Sequence, residues 1–546
     1  MSDCEIFPTH QRFLSDGRYM QLPVKTGAEK VSLLFGLPGV QDSYSAEIEL
    51  GTFSDCDFIG CVPSPVPPGA WLDTSISDGR RAMIRFSDTL PDAPDGRYSQ
   101  ERPALHFSGG CGWLSDPNGL FYADGNYHLF YQHNPFGVNW VGENIHWGHA
   151  ISSDLLHWHT LPPMLAPDRS GSVYSGCAVV DTENRSGLGS GKTPPVLLFY
   201  TATSKHASVQ SMAYSCDGGR SFVKYAGNPI IQTRSDARDP NIFFDTAHDC
   251  FVMVLYNGDN EETQRNSFSF YTSRDLLSWR LDGVCDMGVR ECPGLYRLRS
   301  ESENTEKTVF HAAAGTYFIG HLNGSVFQPE TGPLQYFVHS SDEEPPWDGH
   351  AYAGQCFNNT PDGRCIFIAW LRPFGLIKHP FLSCAMTLPV ELTLRRFPEG
   401  ELVAVQPICE LEALRTEPGR YFAECSTSVP LPPEMKTGNG VIAWEILGKL
   451  PPIGRTEFSA GGIPWCYDAS NRTLRTRGLT CTLPPDADGR FRLFFDFGGM
   501  ELFAADGRLW LPHTIVADPI APVLEVRTGH LVDITIYHLA SVLPSE

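Results

Sequence analysis

Four short stretches of this chain echo one another. SSDLLHW (152–158), SCDGGRSF (215–222), SRDLLSW (273–279) and SSDEEPPW (340–347) each place Ser-x-Asp before an aromatic residue four or five positions on. Their aspartates, Asp154, Asp217, Asp275 and Asp342, are 63, 58 and 67 residues apart. A period of about 60 residues is what a four-stranded propeller blade needs, given strands of about 5–6 residues and their turns. The aromatic-rich stretch from 101 to 394 then holds about five blades, one of them without a clear copy. A propeller builds its ligand site at the central channel, where the innermost strand of each blade offers a residue. Chemistry is therefore expected from carboxylates far apart in sequence.

The flanking segments read differently. Residues 1 to about 100 alternate in short strands such as VSLLFGL and SAEIELG and end in the turn-rich DTLPDAPDGRYSQERP. ICELEALR, near 410, is the one convincing short helix, and beyond it RFRLFFDF and LVDITIYHL alternate again. The 51 glycines and 43 prolines suit many short strands joined by turns. The expected fold is all-β: an N-terminal β domain (1–100), a five-bladed β-propeller (101–397), a linker with a short helix (398–417) and a C-terminal β-sandwich (418–546).

Charge and composition narrow the partners. A formal net charge of −22 argues against nucleic acid, which needs a basic stripe, and suits a neutral ligand. No window of about 18 apolar residues is present, so no membrane partner is expected. MSDCEIFPTHQRF has neither a basic nor an apolar leader region, and the 16 scattered cysteines form no C-x-x-C pair. These features point to a cytoplasmic protein with free thiols, although Asn184, Asn323, Asn358 and Asn471 each begin an N-x-S/T sequon. SGLGSGKTPP (186–195) imitates a phosphate loop, but Ser186 stands at its first glycine and two prolines sit where a helix should start. Oligomeric state is not legible.

Three acids in the middle segment stand out: Asp116 in WLSDPNG, Asp239 in SDARDPNIFF and Glu291 in VRECPGLYRL. Each lies at the end of an apolar strand with proline following at once or one residue later. A proline there restricts the residue before it, so each carboxylate is expected to be rigidly aimed. Taken singly, each is an ordinary turn former. Together, among aromatics, they match the paired carboxylates of glycosidic bond cleavage.

At these residues the chain resembles glycoside hydrolase family 32, the invertases, levanases and exo-inulinases. WLSDPNG, YHLFYQHNP, HWGHAISSDLLHW, YSGCAVV, RDP, ECPGL, YFIG and MTLPVEL occur in the family's order over roughly 101–546. The resemblance implies retaining hydrolysis of terminal non-reducing β-D-fructofuranosides through a covalent fructosyl-enzyme. The substrate partner would be a fructose-containing oligo- or polysaccharide, with no cofactor and no metal. It implies Asp116 as nucleophile, Glu291 as acid and then base, and Asp239 as transition-state stabiliser helped by Arg238. Ser115, Gln132, Trp140, Tyr174, Ser175, Tyr352 and Trp370 correspond to positions lining the fructose pocket. On this reading Asp116 stays ionised, while burial and neighbouring negative charge raise Glu291. Trp158 and Trp279 read instead as blade packing, and Asp496 and Glu501 as structural acids.

Three departures bear on the activity. Ser115 replaces the family's usual asparagine before the nucleophile, a position that varies in some relatives with fructosyl-transfer activity. His350 stands where an aspartate is common, and Gly294 follows Glu-Cys-Pro in place of a frequent aspartate. The alternatives are a fructosyltransferase, a sucrose-6-phosphate hydrolase and a non-catalytic carbohydrate-binding propeller.

Overall fold

The computed structural model describes residues 9–36, 43–78, 81–91, 102–205, 207–233, 236–259, 266–338, 351–372, 384–416, 419–426, 428–430, 443–515 and 521–543. Five antiparallel sheets form the middle of the chain. Their inner strands are Trp113–Ala123, Ser172–Val180, Arg238–Asp245, Gly294–Arg299 and Ala351–Cys356. Each packs on the next and the fifth returns to the first, which closes a five-bladed propeller. Asn358 seals the ring. Its backbone exchanges hydrogen bonds with Leu120 and Tyr122 of the first blade, both 2.9 Å, and its Oδ1 accepts from Val180 N–H of the second at 3.0 Å.

The repeated motif is the turn between the third and fourth strands of a blade. Ser152, Ser215 and Ser273 donate to Asp154, Asp217 and Asp275 at 2.9, 2.7 and 3.0 Å. Each aspartate also accepts two backbone N–H groups of its own turn, which holds all three below their ordinary pKa against the upward push of burial. Trp158 and Trp279 each donate from the ring N–H to the carbonyl three residues back, so they pack the blades as expected. The fourth blade breaks the pattern. Its third and fourth strands meet at Asn323-Gly324-Ser325, with Gly324 at φ 64°. SSDEEPPW, with Asp342, follows that blade and lies outside the described residues, as does His350.

The fifth blade also corrects an expectation. Gly400–Pro407 pairs with Val390–Phe397 along its whole length, so the first half of the stretch 398–417 read as linker supplies a blade's outer strand. What remains is a 3-10 helix, Cys409–Leu414, with no side-chain cap. A segment this short cannot sustain α-helical bonding without caps.

On the N-terminal side, a four-stranded and a three-stranded sheet enclose a separate apolar core around Leu22, Leu33, Phe35 and Ile48. On the C-terminal side, two six-stranded sheets enclose Trp444, Phe458, Trp465 and Leu493. One further apolar cluster runs from the first, fourth and fifth blades into that sandwich through Phe494, Phe503 and Trp510. At this seam the fully buried His106 lies between Asp496 (Nδ1–Oδ1 3.0 Å) and Glu501 (Nε2–Oε1 3.2 Å). Those two acids are structural.

Candidate active site

Four of the five inner strands are irregular where they carry candidate residues. Ladder register shifts between Leu114 and Pro117, Val173 and Gly176, Arg238 and Asn241, and Tyr352 and Gln355. A bulge inserts an unpaired residue and re-aims its side chain. The four bulges carry or border Ser115, Asp116, Tyr174, Ser175, Asp239 and Tyr352. Glu291 lies three residues before the fourth inner strand.

The prolines do not act as expected. Asp239 and Cys292 each precede a proline yet have φ of 63° and 40°, and Glu291 has 56°. This is the left-handed region that non-glycine residues seldom occupy, and such strain persists only when the surroundings enforce it. Here Asp239 N–H donates to Thr201 Oγ1 at 3.1 Å, and the Glu291 carbonyl accepts from Ala313 N–H at 3.0 Å. The aim of these carboxylates comes from tertiary hydrogen bonds rather than proline restriction.

The acids converge. Cys292 Sγ lies 3.8 Å from Asp116 Oδ2 and 3.6 Å from Asp239 Oδ2, and its backbone N–H donates to Asp239 Oδ2 at 3.1 Å. Asp116 Oδ2 also accepts from Ser175 Oγ at 2.7 Å and Gln132 Nε2 at 3.4 Å. Ser115 Oγ in turn donates to Gln132 Oε1 at 3.4 Å. Glu291 accepts from Arg238 Nη2 at 2.8 Å and from the Tyr352 hydroxyl. Arg238 Nε lies 3.9 Å from Asp239. Trp370 meets Tyr352 edge-on, centroids 6.4 Å apart, and Trp140 meets Tyr174 at 6.1 Å. Nine of the eleven residues singled out in the sequence therefore join two linked clusters, and Trp140 and Tyr174 pair beside them, Trp140 at the exposed edge.

Electrostatics depart from expectation. Burial pushes Asp116 up to about 6, offset in part by Ser175, and pushes Asp239 up to about 7 despite Arg238. Burial also pushes Glu291 up, but hydrogen bonds from Tyr352 and Arg238 outweigh it and leave the group below the ordinary glutamate range. The expected order of acid and nucleophile is thus reversed. Two donors stabilise the charged form of Glu291 more than burial disfavours it.

Sequence reading missed several contributors. Arg372 is buried, its guanidinium 3.5 Å from the Tyr352 ring centroid and 5.3 Å from that of Trp370. The Thr514 hydroxyl of the sandwich donates to the Arg372 carbonyl. Asn118 donates to the Asp116 carbonyl at 2.9 Å and accepts Gly176 N–H at 3.0 Å, tying the first blade to the second. Asn118 and Cys292 sit inside quoted motifs, whereas Arg372 carries no local signal beyond its nearness to Trp370.

Comparison with known proteins agrees with this geometry. The description "Glycosyl hydrolases family 32 N-terminal domain" matches residues 106–407. A levanase of Bacillus subtilis is 32% identical over 515 residues, covering 82% of this chain and 72% of that protein. An invertase of Schizosaccharomyces pombe is 30% identical over 367 residues, 62% of this chain and 60% of its own length. The crystal structure of an exo-inulinase from Aspergillus awamori superposes with a TM-score of 0.68 at 23% identity, covering 81% of this chain and 99% of the other. The latter likeness is one of fold.

Proposed function

The chain belongs to family 32 of the glycosyl hydrolases, and from that premise we propose that it is a retaining β-fructofuranosidase acting on terminal non-reducing fructosyl residues of sucrose or fructans. The observation that carries the reading is the meeting of Asp116, Asp239 and Glu291 around one thiol and one guanidinium.

In the first step Asp116 attacks the anomeric carbon while Glu291 gives its proton to the departing glycosidic oxygen. Ser175, Gln132 and Cys292 all engage Oδ2 of Asp116, so Oδ1 is the attacking atom. The bond from the anomeric carbon to the leaving oxygen breaks as the fructosyl ester forms. In the second step Glu291, now a carboxylate, takes a proton from water, and the water oxygen displaces Asp116. Asp239 stays unbonded to carbon and, with Arg238, holds sugar hydroxyls and offsets charge on the oxocarbenium-like transition state.

The lowered pKa of Glu291 fits this role once substrate is bound. Its side chain is 30% exposed, against 7% for Asp239. A sugar covering it removes water from Glu291 more than from its neighbours and favours the protonated form. Ser115, buried beside Gln132, is shorter than asparagine and leaves room where a sugar hydroxyl could replace water, which favours some fructosyl transfer at high sucrose. Residues 1–100 and 418–546 are proposed as accessory β domains around the catalytic 101–397.

Among the described residues, 15 cysteines are free thiols, which supports a reducing compartment, and no helix is long and apolar enough to cross a membrane. The deciding experiment is the product profile on sucrose, inulin and levan for the parent and Glu291→Gln. Free fructose from the parent, with turnover lost but binding kept in the variant, is expected. Unchanged rates in the variant would remove Glu291 from the mechanism.

A further inference from the structure

The N-terminal unit is built onto the loop of the first blade that carries Trp140. Phe136 and Val138 of that loop are buried within the N-terminal apolar core. Backbones meet there as well: a Cβ at Gly60, in the strand Phe58–Pro63, would lie 2.4 Å from the Pro135 carbonyl oxygen.

The far end of the loop is held by Asn144, which is 0% exposed. Its Oδ1 accepts from Glu47 N–H at 2.9 Å, and its Nδ2 donates to Glu47 O at 2.6 Å and to Asn134 Oδ1 at 3.0 Å. Glu47 belongs to Ser43–Glu49, the outermost strand of the four-stranded N-terminal sheet. The Asn144 amide thus pairs with both outward backbone groups of Glu47 on an edge strand. Asn134 closes the loop on itself, accepting Phe136 N–H at 3.0 Å and donating to Asn139 O at 2.8 Å.

Between these anchors stands Trp140, 51% exposed. Its ring leans edge-on against Tyr174, and Gly142 passes so close that a Cβ there would lie 2.9 Å from the Tyr174 hydroxyl and 3.0 Å from the Trp140 ring. Tyr174 adjoins Ser175, which holds Asp116. A large, half-exposed indole at the edge of a polar pocket suits the apolar face of a sugar ring. Its placement matters only if the loop beneath it does not move.

We propose that the N-terminal unit seats Trp140 for contact with the sugar ring next to the scissile fructosyl residue, and that Asn144 is the positioning residue transmitting this. The inference rests on the fructosidase reading of the site. It gives residues 1–100 a role in substrate grip rather than in the bond-breaking step.

The test uses the full-length chain. Asn144→Ala is expected to raise KM for sucrose and fructo-oligosaccharides about three- to tenfold with kcat within about twofold, because binding and not chemistry is disturbed. Trp140→Ala raises KM in the same direction, and adding Asn144→Ala to it produces no further rise, since both act through one ring. Hydrogen exchange supplies a readout free of activity: Asn144→Ala speeds exchange in 135–145 while 113–123 stays protected. Val138→Ala loosens the same seat without exposing a buried polar group and should repeat the pattern if Asn144→Ala folds poorly. An unchanged KM, effects of the two substitutions that multiply in full, or a loop as protected as in the parent would each overturn the proposal. A parent chain without turnover of any fructoside would instead sink the fructosidase reading, while exchange would still report on the seat.

Discussion

Arg238 donates from Nη2 to Glu291 Oε1 at 2.8 Å, so the group assigned as proton donor meets a fixed cation before any substrate arrives. The same guanidinium lies 3.9 Å from Asp239 and 4.8 Å from the Tyr256 ring centroid. One arginine on a half-buried strand end thus orients two of the three acids. It stabilises the ionised form of Glu291 while burial raises Asp116 and Asp239.

The pH profile should record that order. Between them Asp116 and Glu291 hold one proton in the productive state. That proton is lost as pH rises through about 6, the value for Asp116, and a second is gained only below the ordinary glutamate range. For the free enzyme kcat/KM is expected to be bell-shaped with its alkaline limb near pH 6, the limbs belonging to the pair. Tyr352→Phe removes a donor that lowers Glu291, so the acid limb moves to higher pH. A parent alkaline limb above pH 8, or an acid limb unmoved in the variant, would contradict the assignment.

Arg372 is expected to support the acids without touching a bond that changes. Its guanidinium lies over the ring of Tyr352, which donates to Glu291, and its charge lowers Asp116. Arg372→Met keeps length and loses charge. The expected result is a fall in kcat of about tenfold with a smaller change in KM, and an alkaline limb shifted upward as Asp116 loses a nearby cation. A fall in KM affinity alone, with the limb in place, would assign Arg372 to substrate binding.

Gly294 leaves no room for the aspartate that the family resemblance leads one to expect there. A Cβ there would lie 2.2 Å from the His311 ring, which is buried and fixed at 3.0 Å to the Gly354 carbonyl. Gly294→Asp should destabilise the protein by about 1–3 kcal/mol through overpacking and lower activity with it, because Glu291 is three residues away. Thermal unfolding beside rate measurements on sucrose checks both.

His106 ties the propeller to the sandwich. Burial alone would lower it, but Asp496 and Glu501 outweigh burial and hold it up to about 10. A raised folded-state pKa contributes stability that is fully present below the ordinary value of 6.5 and is lost as pH rises through about 10. His106→Leu leaves two buried carboxylates without their cation and should cost about 3–5 kcal/mol. Denaturant unfolding at pH 7 and pH 10 tests this: the difference between parent and variant should shrink at the higher pH.

The sequence by itself determined the blade period and pointed to the three acids that the fold brings together, because both depend on local chemistry. A Ser-x-Asp turn satisfies its own backbone wherever it occurs, and WLSDPNG, ARDPN and VRECPG each set a carboxylate one or two residues before a proline beside an apolar run. The same locality misled at 398–417, where a Pro-Glu-Gly turn hid a paired strand. Only the tertiary structure decided that Asp239 and Glu291 adopt left-handed backbone, that Arg372 lies on Tyr352, that Asn144 joins the N-terminal sheet to the Trp140 loop, and that Glu291 ionises before Asp116. Each of these depends on groups tens to hundreds of residues apart. Burial and charge act through distance in space, which spacing along a chain does not measure.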